Sequence, residues 1–185
     1  MADPLLAVEQ TSLPGCLVIT PRVFADERGS FIESWNAARF RAATGIDATF
    51  VQDNQSISHT RVLRGLHYQI EQAQGKLVRV VTGAVWDVAV DLRRSSPTFG
   101  HWIGVELTAE NGRQFWIPPG FAHGFVVTRG PAVFLYKTTD YYAPAHERTL
   151  RWNDPTVAID WPLSDPILSA KDAQAPLLTD AQVFA

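Results

Sequence analysis

Residues 62–69 place an arginine, a glycine and a histidine (Arg64, Gly65 and His67) within four positions of an apolar run. Imidazole has a reference pKa of about 6.5, so His67 can accept a proton at neutral pH. A single histidine in a buried strand is more often a core residue than a base. Here Lys76 and an amide-rich strand lie close in sequence, and these polar groups favour a base held in a pocket.

These residue types suit proton transfer next to a ketone. Inversion of a carbon needs a base, a cation that stabilises the enolate oxygen, and a proton donor on the opposite face. Lys76 can supply the cation, and the Tyr136 phenol, with a reference pKa of about 10, can supply the proton. A histidine base works better when a carboxylate orients its second nitrogen. Asp87 and Asp172 are both candidates, and spacing alone does not choose between them.

A second motif, formed by Pro118, Gly120 and His123, resembles the second half of the cupin signature. In metal-binding cupins the first half supplies two histidines and a glutamate. Here that half reads His67-Tyr68-Gln69, with Lys76 where an acidic ligand is expected. A protonated lysine repels a cation, and two histidines alone make a poor zinc or iron site. We therefore predict a cupin-like pocket that holds no metal.

Short strands separated by Gly, Pro and Asn turns, almost without helix, predict an all-β protein. With the cupin signature they indicate a jelly-roll barrel (double-stranded β-helix) with short peripheral helices. The 185 residues are expected to form one domain, 1–185, in which segment 141–185 packs on the barrel. Asn36 and Gly45 suit the two ends of a short helix at 37–43. Asn111-Gly112 predicts a hairpin turn.

Alternation along residues 51–58 separates a polar face from an apolar one, and the polar face carries Gln52, Asn54, Ser56 and Ser58. A strand that faces solvent gives the same pattern as a binding face, so the pattern leaves both interpretations open. Strict alternation also puts Arg64 and His67 on opposite faces of their strand. Either that strand starts after Gly65, or Arg64 reaches a site shared with a partner chain.

Charge and composition limit the partners. The formal net charge is −3, so a broad nucleic-acid-binding face is not expected. The single cysteine, Cys16, cannot form an internal disulfide, which indicates a reducing compartment. No apolar stretch approaches the ~20 residues of a membrane span, and no leader sequence opens the chain. We expect a cytoplasmic protein that binds neither membrane nor nucleic acid.

Eight blocks of sequence lie between about residues 17 and 178: DERGSF (26–31), FVQDN (50–54), LRGLHYQ (63–69), GKLVR (75–79), DVAVDLR (87–93), WIPPGFAHG (116–124), YKTTDYY (136–142) and LSAKD (168–172). Each block is modest alone, but the eight in order are very specific. Together they resemble the dTDP-4-dehydrorhamnose 3,5-epimerase family. The resemblance implies a cupin-type, cofactor-free homodimer. It also implies inversion of C3 and C5 of dTDP-4-dehydro-6-deoxy-D-glucose, on the route to dTDP-L-rhamnose.

The same resemblance implies catalytic roles for four residues. His67 would be the base and Asp172 the carboxylate that orients it. Tyr136 would be the acid on the other face of the sugar, and its presence favours double epimerisation. Lys76 would stabilise the enolate, with Asp87 as further polar support.

The substrate-binding residues that the resemblance implies are His123 near the sugar, Tyr142 near the thymine, and Arg28, Glu33, Gln52, Asn54, Arg64 and Lys171 around the nucleotide. Family dimers exchange an N-terminal segment, so Arg28 and Glu33 are expected to serve the other subunit's site. Three alternatives stay open on the sequence: a single-site 3- or 5-epimerase of another deoxysugar, a non-catalytic cupin that binds sugar nucleotides, and a metal-dependent enzyme.

Overall fold

A computed structural model describes residues 5–185. In this part of the chain the strands are β1 Leu6–Gln10, β2 Leu17–Pro21, β3 Val23–Asp26, β4 Gly29–Ile32, β5 Gln52–Ser58, β6 Leu63–Gln69, β7 Lys76–Asp91, β8 Trp102–Thr108, β9 Gln114–Ile117, β10 Phe121–Thr138 and β11 Glu147–Thr149. The helices are α1 Ala37–Thr44, α2 Ala170–Ala173 and a 3-10 turn at Pro144–His146. None of these helices is long and apolar enough to cross a membrane.

Two long antiparallel strands, β7 and β10, run through both walls of a barrel. The first half of β7 pairs with β9 and its second half with β8. In the same way, β10 pairs first with β6 and then with β5. Each strand therefore changes sheets at its middle, which is how two sheets close into a jelly roll. This confirms the predicted all-β, cupin-like class.

Gly83 allows β7 to bend where it passes from one wall to the other. Its φ is +78°, and a Cβ at this position would lie 2.4 Å from the Arg129 carbonyl oxygen. The pairing of β7 with β10 shifts register beside it, between Val127 and Val133. A side chain here would therefore separate the two long strands at the corner of the barrel.

Apolar side chains form three clusters. The first fills the barrel and includes Phe115, Phe125 and Phe134. The second covers the outer face of β7, where residues such as Trp161 and Phe184 of the C-terminal segment pack on it. The third joins α1 to the opposite wall through the aromatic rings of Trp35, Phe40, Phe50 and Trp116. Both walls therefore carry buried apolar side chains on both faces, and this packing holds them in place around the space between them.

The capping signals predicted the first helix correctly. The Asn36 side chain accepts a hydrogen bond from the Arg39 backbone at 3.1 Å, and Gly45 ends α1 in the left-handed conformation. The hairpin predicted at Asn111-Gly112 is wrong. The flanking strands β8 and β9 pair with different halves of β7 rather than with each other, so the turn connects the two walls.

The strand that carries His67 has one extra residue opposite β10. His123 of β10 pairs with His67 of β6. The next pair joins Phe125, two residues after His123, to Arg64, three residues before His67. Such a bulge reverses the alternation of side chains beyond it. It puts Arg64 and His67 on the same wall of one cavity, although the strand begins at Leu63. The bulge therefore explains the positions of both residues without a strand that starts after Gly65 and without a site shared with a partner chain.

Glycines make the bulge possible. A Cβ on Gly65 would lie 2.6 Å from the Gly124 Cα, and one on Gly124 would lie 2.7 Å from the Arg64 carbonyl oxygen. The two backbones therefore approach to a separation that no other residue type allows. The Gly65–Leu66 and Gly130–Pro131 peptide bonds are cis.

We predict that Gly65→Ala destabilises the protein much more than Gly29→Ala. The two glycines have nearly equal φ values, +125° and +128°, but nothing lies within 4 Å of a Cβ added at Gly29. Gly29→Ala should therefore cost only backbone strain, about 1 kcal/mol, whereas the clash at Gly65 should raise the loss to about 3 kcal/mol or more. Urea unfolding measures both, and equal losses would contradict the close-approach argument.

Candidate active site

A cavity of about 280 Å³ opens between the walls of the barrel. Four strands line it with polar groups, and the chain around Tyr142 and Glu147 closes one side. The predicted site residues that line it are His67, Lys76, Tyr136, His123, Asn54, Arg64 and Tyr142. The imidazole of His67 and the phenol of Tyr136 therefore share one compartment.

The carboxylate that contacts His67 belongs to Asp172. Its Oδ1 lies 2.6 Å from His67 Nε2, and Asp172 is buried while His67 is half-exposed to the cavity. Ser169 caps the short helix α2 by accepting a hydrogen bond from the Asp172 backbone N–H at 3.1 Å. Burial raises the pKa of Asp172, but the hydrogen bond with His67 and the bonds from Ser169 and the Gly65 backbone outweigh it and hold this pKa below its usual value. An ionised Asp172 thus orients the imidazole at neutral pH.

Asp87 pairs with the other cavity histidine, His123. His123 Nε2 lies 3.0 and 3.1 Å from the two Asp87 carboxylate oxygens, and both side chains are buried. Burial lowers the pKa of His123 and raises that of Asp87, and the attraction between them offsets each shift only in part. His123 is therefore neutral, with Nε2 held by Asp87. The two aspartates that sequence spacing left unresolved contact different histidines.

Lys76 lies at the floor of the cavity. Its Nζ donates to the His67 carbonyl oxygen at 3.2 Å, and the residue is 7% exposed. Burial lowers the pKa of Lys76 to about 8, and the carboxylates of Asp87 and Glu147 limit the drop. The ammonium is thus still the major form at pH 7, in surroundings where its charge acts strongly on any nearby oxyanion.

Tyr136 lies on β10 directly opposite Asn54 of β5. Burial raises the pKa of the Tyr136 phenol, and the charge of Arg64 opposes this only in part. The phenol therefore keeps its proton at neutral pH and can donate it.

A polar rim surrounds the cavity mouth. Glu147 Oε2 accepts hydrogen bonds from the Tyr142 hydroxyl at 2.9 Å and from Lys171 Nζ at 2.6 Å. Gln52 donates to Asn54 Oδ1 and accepts from the Tyr142 backbone N–H, both at 2.9 Å. The rim thus holds three of the predicted binding residues (Gln52, Tyr142 and Lys171) next to the cavity.

Arg64 and Lys171 supply positive charge beside His67. Arg64 donates from Nε to Ser58 Oγ at 3.0 Å, which leaves the terminal guanidinium nitrogens directed away from that bond. Arg64, His67 and Lys171 also line a second cavity of about 300 Å³, bounded by residues 167–172. Anionic groups fit this surface because a guanidinium and an ammonium face it together.

Arg28 and Glu33 do not reach the cavity of their own chain. Arg28 lies at the turn of the β3–β4 hairpin and pairs with Asp26 at 2.5 Å, and Glu33 pairs with Arg39 at 2.9 Å. The hairpin is a separate two-stranded sheet whose side chains are largely exposed, with Phe31 at 68%.

Not every residue that lines the cavity was named from the sequence, and Glu147 and Ser56 are two polar examples that were missed. The sequence could have indicated Ser56, because alternation placed it on the polar face with Asn54. It gave no indication for Glu147, which follows an irregular, proline-containing segment without periodicity. Across residues 5–185, no three or more His, Cys, Asp or Glu side chains form a group that could hold a metal ion.

Residues 10–180 match the sequence model of the dTDP-4-dehydrorhamnose 3,5-epimerase family. The chain belongs to this family. The dTDP-4-dehydrorhamnose 3,5-epimerase of Pseudomonas aeruginosa is 60% identical over 174 residues, which cover 94% of this chain and 96% of the relative. The same enzyme of Salmonella typhimurium is 56% identical over 179 residues, 96% and 98% of the two chains. The family predicted from the eight sequence blocks is confirmed.

Solved structures of dTDP-sugar epimerases share the fold. The dTDP-6-deoxy-D-glucose-3,5-epimerase of Legionella pneumophila, in complex with dTDP-4-keto-L-rhamnose, superimposes with a TM-score of 0.92 at 54% identity, covering 94% of this chain and 93% of that one. A 3'-monoepimerase of Streptomyces bikiniensis, in complex with dTDP-quinovose, gives 0.86 at 36% identity, covering 91% and 86%.

We predict that kcat/KM of this epimerase-family protein falls as the pH rises through about 8, because Lys76 then loses its proton in the free enzyme. The Tyr136 phenol keeps its proton in this range, so it does not cause the fall. In Lys76→Arg the guanidinium stays charged, and the fall should move above pH 10 even if the maximal rate is lower. A Lys76→Arg profile that still falls near pH 8 would assign this titration to another group.

Proposed function

We propose that this protein inverts C3 and C5 of dTDP-4-dehydro-6-deoxy-D-glucose and yields dTDP-4-dehydro-L-rhamnose through enolate intermediates. The observation that carries the proposal is one cavity that contains an oriented imidazole, a protonated phenol and a buried ammonium, from His67, Tyr136 and Lys76. The complex of the Legionella pneumophila relative with dTDP-4-keto-L-rhamnose supports the substrate class.

The first step is removal of a proton from a carbon next to the C4 carbonyl. C3 and C5 both flank this carbonyl, so one cavity can activate both. His67 takes the proton at the nitrogen that faces the cavity while Asp172 stabilises the imidazolium. The electron pair of the C–H bond moves onto the carbonyl oxygen, and the ammonium of Lys76 stabilises the resulting oxyanion.

The second step returns a proton from the opposite face. Tyr136 is the donor, since its raised pKa keeps the phenol protonated until the enolate forms. Each inversion thus moves one proton to His67 and one from Tyr136, and exchange with water resets both groups before the second carbon reacts. Neutral His123 donates its single N–H to Asp87, so it can only accept a hydrogen bond from the sugar and does not act as a second acid.

Unpartnered buried donors suit the sugar and its phosphates. Asn54 Nδ2 and Ser56 Oγ are buried without a hydrogen-bond partner among residues 5–185, which is costly unless a ligand satisfies them. Arg64 and Lys171 supply charge for the pyrophosphate. Tyr142 is exposed at the rim, where its ring can pack on the thymine.

We further propose a homodimer in which the β3–β4 hairpin crosses to the partner, so that Arg28 and Glu33 complete the partner subunit's site. Three observations support it: the hairpin forms its own small sheet, its apolar side chains Phe24 and Phe31 are exposed, and within residues 5–185 Arg28 pairs only with its neighbour Asp26. Apolar side chains at such exposure favour burial against another surface.

A single-site epimerase is the second candidate, because a 3'-monoepimerase is among the structural relatives. That relative is 36% identical, whereas the 3,5-epimerases of Pseudomonas aeruginosa and Salmonella typhimurium reach 60% and 56%. The higher identity favours double inversion.

Incubation of the substrate in heavy water tests the reaction. We expect deuterium at both C3 and C5 of the product, measured by NMR and mass spectrometry. His67→Ala should lose exchange at both carbons. Tyr136→Phe should keep exchange, because His67 still removes the proton, but should lose inversion by about 100-fold. Deuterium at one carbon would select the single-site candidate, and none at either carbon would exclude epimerisation.

Mixed dimers test the exchange of the hairpin. Arg28→Glu and His67→Ala homodimers should both be nearly inactive at substrate concentrations well below KM. If Arg28 serves the partner's site, a mixed dimer has one site with both defects and one intact site. Statistical re-pairing of equal amounts should then restore about a quarter of wild-type activity. Native mass spectrometry verifies re-pairing, and mixed dimers that stay inactive would show that Arg28 serves its own chain's site.

A further inference from the structure

Asp172 reaches His67 on a segment with little regular structure, residues 164–173, which we call the strap. Its only helix is the single turn α2, and its Ile167 side chain is 53% exposed. Between the strap and β6 lies the cavity of about 300 Å³. Apolar packing therefore does not fix the strap, and its position depends on the hydrogen bonds that hold it.

Those hydrogen bonds converge on Arg61. Its carbonyl oxygen accepts from the Ile167 backbone N–H at 2.8 Å, and its guanidinium donates to the Asp165 carbonyl oxygen at 2.8 Å and to the Asp165 carboxylate. Its own backbone N–H donates to the Val127 carbonyl oxygen of β10 at 2.9 Å. Leu63 completes the contact by donating to the Ile167 carbonyl oxygen at 3.0 Å. Arg61 thus makes most of these bonds and links the strap to the long strand β10 of the barrel.

We propose that Arg61 is a positioning residue, which clamps the strap so that Asp172 stays in contact with His67. The proposal rests on the function proposed for the His67–Asp172 pair. Arg61 touches neither the main cavity nor its lining base, so it acts only through the strap. Only four residues lie between the clamped Ile167 and Asp172, which is short enough for a shift at one to displace the other.

Loss of the Arg61 clamp should affect the reaction rate more than the free energy of unfolding. The Arg61 and Asp165 side chains are half or more exposed, and an exposed ion pair contributes about 0–1 kcal/mol to folding. Misplacement of an oriented group by about 1 Å can reduce a rate by about 100-fold. Loss of the clamp should therefore leave the barrel folded and slow the reaction.

The backbone of Arg61 offers a clean variant. Its φ is +71°, a conformation that glycine adopts without strain. Arg61→Gly thus removes the guanidinium and keeps the backbone hydrogen bonds to Ile167 and Val127. Glu110→Gln is the matched control, because it removes a similarly exposed ion pair, with Arg129, that does not contact the strap.

We expect Arg61→Gly to lower kcat by about tenfold with a smaller change in KM and a melting temperature within about 2 °C of wild type. Hydrogen exchange should accelerate at the amides of Asp172 and Ala173 and stay unchanged in β7. Glu110→Gln should behave as wild type. Wild-type kcat in Arg61→Gly, or equal losses in the two variants, would overturn the proposal.

A double-mutant cycle separates positioning from general damage. If Arg61 acts through Asp172, then Arg61→Gly should have no further effect in an Asp172→Ala background. Additive losses would overturn the clamp while leaving the proposed base in place. A fully active Asp172→Ala form would instead remove the proposed pair, and the clamp with it.

Discussion

The hydrogen bond between His67 and Asp172 joins two parts of the chain that lie 105 residues apart. The imidazole comes from a barrel strand, and the carboxylate comes from the C-terminal segment that packs outside the barrel. Neither part alone makes an oriented base. The bulge at Gly65 directs the imidazole into the cavity, and the cap at Ser169 holds the carboxylate behind it. Under the proposed function, catalysis therefore requires that the C-terminal segment is folded.

The other ionisable groups at the floor of the cavity are buried, and burial of such groups reduces the stability of the fold. Lys76, Asp87 and His123 are buried together. Burial lowers the pKa of Lys76 and His123 and raises that of Asp87, which in each case favours the neutral form. Apolar side chains of similar size would pack there at lower cost. A buried ammonium makes sense when an oxyanion forms beside it, because its attraction is strongest where water is excluded. The apolar clusters on both faces of the walls supply the stability that this group reduces.

The sequence predicted the features that depend on local rules. Alternation correctly put Asn54 and Ser56 on one polar face of β5, without showing that this face lines a cavity, and Asn36 and Gly45 bounded the first helix. Local rules failed where the partner of a strand decides the outcome. Asn111-Gly112 has the residue types of a hairpin turn, but the strands on either side of it, β8 and β9, both pair with β7 instead of with each other. The choice between Asp87 and Asp172 depended on tertiary contacts that spacing does not encode.

A crystal structure with bound dTDP-L-rhamnose would test the central claim most directly, namely that base and acid act on opposite faces of one sugar. We predict His67 and Tyr136 on opposite faces of the ring at C3 and C5, with Lys76 Nζ within hydrogen-bond distance of O4 and Asp172 still bonded to His67. His67 and Tyr136 on the same face, or a sugar bound outside the cavity that they share, would contradict the account.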